Sequence, residues 1–344
     1  MIPREPLPTA RTAAFVVAAA LALLIKTAAA ETAVRFSLEG RLDGPAAIYL
    51  LPQDKGYYRE EGLDVAIDEG SNLTEPIMRV ASGTHDMGVA DINVFIRYRD
   101  QHPGTPVVAV FMVYNNPPFS IVARRSRGIA QPKDLEGKRL GAPMMGSTFP
   151  EWPLFAKLNE IDVAKVKIEQ IGAPVRAPML AAGQLDAALG FSYRVYVDLK
   201  NRGVPVDDIV LMPMSIYGLS AYGNTILVNT KFAAEKPEIV KRFLRGFVRG
   251  LEDTIQNPAA AIDSVVKRDD SIQKDVEVER LRMAIRDNIV TPETRAKGFG
   301  AVDTRRLDEA IEQMATVYPF KAKPKAEEVF DPGFLPRSAD RRSN

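Results

Sequence analysis

Histidine occurs twice in these 344 residues and cysteine not at all, so the usual carriers of acid–base, metal and thiol chemistry are nearly missing. Neither histidine has a metal-ligand partner at helical or loop spacing. Both are expected at the surface: His85 between a helix-ending glycine and a strand, His102 in the polar turn Gln101-His102-Pro103-Gly104. There is no phosphate loop with its lysine, no dinucleotide glycine fingerprint and no nucleophile elbow. Carboxylates abound, yet sequence alone puts no two of them across a bond. The chemistry on offer is recognition, and no catalytic residue, metal or cofactor is expected.

Candidate contacts gather in turns that follow short apolar runs. Arg176, in Gly172-Ala173-Pro174-Val175-Arg176-Ala177-Pro178, could take a carboxylate or sulfonate bidentately or serve in a surface ion pair. Ser147 and Thr148 stand where a helix begins. The free N–H groups and partial positive charge there suit an anion, or the hydroxyls simply cap the helix. Met144 and Met145 offer a soft apolar wall, with one of the pair turned into the core. Trp152, the only tryptophan, either stacks on a planar ligand or packs inside. Arg41 and Asp43 bring opposite charges to one loop mouth, to meet a ligand or each other. Asn72, Asp91, Asn93 and Asn116 add polar tips at other turns. Phe191, Tyr193, Tyr217, Tyr222 and Asn224 supply aromatic faces with few polar tips, the make-up of a cofactor-sized pocket.

The elements that must position these residues alternate. Ala33 to Leu38 reads as a first strand, and Gly44-Pro45 opens a helix whose apolar face is Ala46, Ala47, Ile48, Leu50 and Leu51. Gly62 suits the left-handed position past a helix end. Leu63 to Ile67 alternates as a strand, a helix runs from about Thr74 to Gly83, and Met87 to Ala90 is a third strand. Arg97, Arg99 and Asp100 are read as the solvated side of the next helix, and Val107 to Val113 as a buried parallel strand. The same plan recurs after a crossover placed at about Ile121: Lys138 to Gly141, Val166 to Glu169, Leu185 to Gly190 and Val210 to Met214 are strands. Tyr217 to Val228 is the return crossover, and four helices follow, Ile239 to Ile255, Ala259 to Val266, Val276 to Ile289 and Thr304 to Val317. Strand and helix in alternation build open α/β sheets, whose ligands lie beyond the carboxyl ends of the strands.

Asp54-Lys55-Gly56-Tyr57-Tyr58-Arg59-Glu60-Glu61-Gly62-Leu63-Asp64-Val65, Ala81-Ser82-Gly83, Asp86-Met87-Gly88-Val89-Ala90-Asp91 and Asp134 to Gly141 resemble the periplasmic solute-binding proteins of the NMT1/THI5-like group, the SsuA-like receptors of ABC importers. The resemblance implies an α/β fold of the type II periplasmic binding protein class: two doubly wound lobes joined by two crossover strands. Lobe I would comprise residues 31–121 and 219–335, lobe II residues 122–218, and residues 336–344 a flexible tail. It implies a monomeric receptor for a small organic solute, of the sulfonate, taurine, nitrate, pyrimidine or riboflavin kind, served by an ABC permease with its ATPase. A partner sensor in place of the permease is the alternative. One branch of the group is a pyrimidine synthase of thiamin biosynthesis. Its iron-associated cysteine cluster cannot form here, and Thr84 and Val94 stand where its lysine and histidine are expected. Where the pyrimidine receptors carry an aromatic residue after the first strand, this chain has Gly40, which argues against a pyrimidine ligand.

Residues 1–30 read as a signal peptide: Arg4 and Arg11, the apolar run Ala13 to Ile25, and cleavage after Ala28-Ala29-Ala30. Such a run spans about 20 Å as a helix, short of the roughly 30 Å hydrocarbon core. No paired arginines precede it, which favours the Sec route. Lys plus Arg number 45 against 44 Asp plus Glu, a net charge of +1, so no bulk field holds nucleic acid or a membrane. A soluble exported chain without a lipid-bearing cysteine is expected in the periplasm. The length suits two domains.

Overall fold

The computed structural model describes residues 31–40 and 42–342. The expected signal peptide (residues 1–30), Arg41 and residues 343–344 lie outside them.

Two five-stranded sheets form the framework. The first runs β2(Leu63–Asp68), β1(Thr32–Ser37), β3(Met87–Asp91), β10(Asn224–Asn229), β4(Val107–Met112). The second runs β7(Lys167–Gln170), β6(Arg139–Ala142), β8(Ala187–Phe191), β5(Phe119–Arg124), β9(Ile209–Pro213). Each contains one strand against the grain. β10 is antiparallel to β3 and β4, and β5 to β8 and β9. The register shows why: Asn224 at the start of β10 faces Asp91 at the end of β3, and Phe119 at the start of β5 faces Phe191 at the end of β8. The chain enters each sheet from the edge where its parallel strands finish, and must run away from it.

Apolar side chains cover both faces of each sheet. Val34, Phe36 and Val228 pack under the helices Ala47–Asp54 and Pro237–Gln256, while Ala90, Leu227 and Ala109 pack on the opposite face with Phe95 and Ile311. Gly62 and Gly83 adopt φ of +73° and +74°, the left-handed geometry that ends a helix without a Cβ clash.

Several expectations are corrected here. Ile121, the expected crossover, lies inside β5; the connections are the irregular segments 113–118 and 218–223, hydrogen-bonded to each other through Gly223 N to Tyr114 O at 2.9 Å. β4 pairs only with β10, antiparallel; it is buried at a sheet edge because Phe330 and Gly300 bridge to it. His85 is buried, its Nε2 2.8 Å from Asp68 Oδ2. Asp100, expected on a solvated helix face, is 3% exposed and accepts the backbone N–H groups of Lys321 and Ala322. The stretch after Pro336, expected to be a flexible tail, is docked as far as Arg342: Arg341 is buried, donates to Pro336 O and accepts from Phe299 N.

Candidate functional site

The carboxyl edges of the two sheets face each other, and between them lies a cavity of 340 Å³. Sheet exits place its polar groups. Glu39 follows β1, Asn224 begins β10, and Asp43 precedes the turn Gly44–Ala46; these form the first-lobe wall. Ser147 and Thr148 come from the loop after β6, Arg176 from the first turn of the helix Arg176–Ala181, and Phe191, Tyr193 and Arg194 from the junction of β8 with the helix Ser192–Asn201.

The electrostatics of the two walls differ. Asn224 Nδ2 donates to Glu39 Oε2 at 2.7 Å. Burial pushes the Glu39 carboxyl up to about 7, opposed by that hydrogen bond and by Arg194. Opposite, the Arg176 side chain is buried and its Nη1 donates to Leu189 O at 3.1 Å, its guanidinium lying against Gly190, where a Cβ would stand 2.4 Å from Nη1. Burial, with Arg194 adding repulsion, pushes Arg176 down to about 10. Arg194 itself donates to Asp43 Oδ2 at 2.9 and 2.6 Å and lies 5.1 Å from the Phe191 ring centroid. Burial works against its charge, but Asp43 outweighs this and holds it above the usual guanidinium range.

Among the described residues, five of the ten buried side-chain polar atoms that lack a protein partner belong to residues lining this cavity: Glu39 Oε1, Tyr49 Oη, Ser147 Oγ, Arg176 Nε and Asn224 Oδ1. Buried polar groups are ordinarily satisfied, so these atoms leave the cavity wall with free hydrogen-bonding capacity for a polar molecule.

Of the residues singled out from sequence, Asp43, Asn72, Ser147 and Thr148 line the cavity, as do Arg176, Phe191, Tyr193 and Asn224. Arg41 lies outside the described residues. Trp152 is 4% exposed and packs beside Phe155 in the second lobe's core, because its turn of helix faces the sheet. Met145 lines the cavity and Met144 does not; both are exposed in the turn after β6, so neither enters the core as expected. Asp91 caps the helix Ile92–Gln101 by accepting from Asn93 N and Val94 N, and Asn93 Nδ2 donates to Tyr222 O. Asn116 Nδ2 reaches Asp287 O, and Tyr217 packs against the second core. The Tyr222 hydroxyl is 2.8 Å from Glu293 Oε1, well inside the first lobe's wall. Glu39, Tyr49, Tyr114 and Arg194 were not singled out. Glu39 sits two residues ahead of Arg41 in the same strand exit, and Arg194 lies in the first turn of the helix Ser192–Asn201, which no capping side chain announces.

The crossover segments carry their own clasp. Arg306, from the helix Thr304–Ala315, donates to Ser220 O, Ala221 O and Asn115 O at 2.9, 2.8 and 2.9 Å, pairs with Glu293, and stacks 4.0 Å from the Tyr222 ring centroid. Its planar fork holds both crossings at once. Among the described residues no cluster of metal-ligating side chains occurs, and no helix is long and apolar enough to cross a membrane.

A family model described as NMT1/THI5 like matches residues 45–261. The riboflavin-binding protein RibY of Chloroflexus aurantiacus is 31% identical over 224 residues, covering 63% of this chain and 61% of that protein, less than two thirds of its length. A formylaminopyrimidine-binding protein of Halalkalibacterium halodurans is 27% identical over 267 residues, covering 75% and 77%. A 4-amino-5-hydroxymethyl-2-methylpyrimidine phosphate synthase of Schizosaccharomyces pombe is 25% identical over 218 residues, covering 60% and 61%. Among solved structures, the periplasmic aliphatic sulphonate binding protein SsuA of Escherichia coli superposes with a TM-score of 0.70 at 12% identity, over 88% of this chain and 94% of that one, a likeness of fold.

Proposed function

The chain belongs to the NMT1/THI5-like family, and on that premise we propose that it is an extracytoplasmic solute receptor, exported by its N-terminal signal peptide to the periplasm. It binds a small organic solute, anionic or aromatic, between its lobes and hands it to an ABC permease with its ATPase. The observation that carries the reading is the set of five unpartnered polar atoms, contributed by both lobes, around one 340 Å³ cavity. A ligand that bonds to both walls stabilises the closed pair of lobes by its difference in affinity between closed and open forms. Enclosure strengthens each polar contact, so few are needed for selectivity.

Binding relatives and synthase relatives share the family. The chain's lack of cysteine, and Thr84 and Val94 at the positions expected for lysine and histidine, favour binding over turnover. Native mass spectrometry of the protein purified from the periplasm tests the reading. A retained small molecule is expected, and its removal should widen the solution-scattering profile. Identical profiles with and without it would defeat the proposal, and so would turnover of the retained compound.

A further inference from the structure

The two walls of the cavity ask different things of a solute. On the first lobe, Asn224 Nδ2 is committed to Glu39 Oε2, which leaves Glu39 Oε1 and Asn224 Oδ1 as neighbouring oxygens without a protein partner. An amide oxygen and an ionised carboxylate oxygen can only accept. On the second lobe, the leftover atoms are Arg176 Nε, which can only donate, and Ser147 Oγ, which can do either. Asp43 and Arg194 also line the cavity, but they neutralise each other in a two-pronged ion pair. No carboxylate among the described residues forms an ion pair with the buried Arg176 guanidinium; its one hydrogen bond is to Leu189 O. An acidic, acceptor-bearing wall therefore faces a cationic, donor-bearing one. Phe191 and Tyr193, on the second wall, line the cavity with aromatic rings, and rings favour flat partners.

Resting on the receptor reading above, we propose that Glu39 and Asn224 read an N–H edge of the solute while Arg176 and Ser147 hold an anionic group at its other end. The ligand is then a planar molecule carrying both features, such as an N-heterocyclic carboxylate, and Glu39 sets specificity for the N–H edge. A purely anionic solute such as a simple sulfonate would leave the Glu39–Asn224 oxygens buried and unbonded. A neutral heterocycle would leave the Arg176 Nε donor so, and its charge unpaired. Either loss is the kind of unmet hydrogen bond by which sites reject near-isosteres.

The groups around Glu39 are Asn224 on β10, Arg194 on the helix Ser192–Asn201, Asp43 on its own loop, Tyr49 on the helix Ala47–Asp54, Tyr193 beside Arg194, and Asp91 at the end of β3. The carboxyl is raised to about 7, so the test belongs near pH 8, where it is ionised and acts only as an acceptor.

Three matched probes separate the features: indole-5-carboxylate, with an N–H at one end and an anion at the other; benzofuran-5-carboxylate, which replaces the N–H by oxygen; and indole-5-carboxamide, which removes the charge. Calorimetry on the full-length mature protein, stripped of retained solute, should find the first probe tighter than each of the others by about ten- to a hundredfold. In Glu39→Met, which keeps the side-chain length but removes both acceptor oxygens, the indole-to-benzofuran ratio should collapse towards one, with the affinity for benzofuran-5-carboxylate retained as the control for folding. Equal affinities in the wild type, a preference for the benzofuran, or a ratio unmoved by E39M would overturn the inference and leave the receptor reading standing. Binding of none of the three, with a retained solute that lacks either feature, would also overturn it. Absence of any retained or bound small molecule would instead defeat the receptor reading.

Discussion

Arg97 Nη1 of the first lobe lies 2.6 Å from Glu151 Oε1 of the second, with the carboxylate 1% exposed. The pair was unforeseen: Arg97 reads from sequence as a solvated helix position. Burial works against the Arg97 charge, but Glu151 outweighs it and raises the arginine above its ordinary range. Removing one partner of a buried pair strands the other, at about 3–5 kcal/mol, whereas replacing both with apolar groups is often neutral. Arg97→Met should therefore lower the urea midpoint sharply, and adding Glu151→Leu should restore much of it. Additive losses in the double variant would show that the pair is not coupled.

Arg176 is a buried cation with one backbone partner. Arg176→Met removes that cation's desolvation while leaving Leu189 O unpaired, two effects of opposite sign. Stability should stay within about 1 kcal/mol of wild type, while affinity for an anionic probe such as indole-5-carboxylate falls at least about tenfold. Unaltered affinity by calorimetry would remove Arg176 from the site.

Glu39 and Asp91 are raised to about 7 and about 8, with burial the first cause at each. A carboxyl that holds its proton more tightly when folded favours the folded state below its unfolded pKa. That advantage is lost as pH rises through the folded value. The ligand-free protein should thus lose stability between about pH 4 and 8. Asp91→Asn, which can still accept from Asn93 N and Val94 N, and Glu39→Gln should each flatten the decline. Thermal melts across that range decide it; parallel slopes in all three proteins would mean that both carboxyls ionise normally.

Arg306 ties Ser220, Ala221 and Asn115 together at the two crossings. Arg306→Lys keeps the charge but loses the fork, so amide exchange in segments 113–118 and 218–223 should quicken by about an order of magnitude. Bound solute should slow exchange in the same segments. Exchange indifferent to both changes would mean that the hinge lies elsewhere.

The α/β alternation, the capping glycines and the two-lobe plan were legible because they are local: period, turn chemistry and strand length are properties of ten or twenty consecutive residues. Loop exits at the carboxyl ends of strands were legible too, which is why Asp43, Ser147, Arg176 and Phe191 fall on the cavity. Choosing within a loop was not. Arg194 rather than Trp152 lines the cavity because each helix turns as a unit against its own sheet, and Met145 rather than Met144 does so because of how the turn after β6 is folded.

By itself the sequence determined most of the strands and helices, and that the chain makes two α/β sheets with loop-bearing edges, but not the helix Ser192–Asn201 or the antiparallel strand β10 within the expected crossover. Tertiary structure alone decided that Glu39 leans on Asn224, 185 positions away, and that Arg176 is buried without a carboxylate partner among the described residues. Burial and pairing depend on which distant segment arrives opposite a side chain, and no local period encodes that.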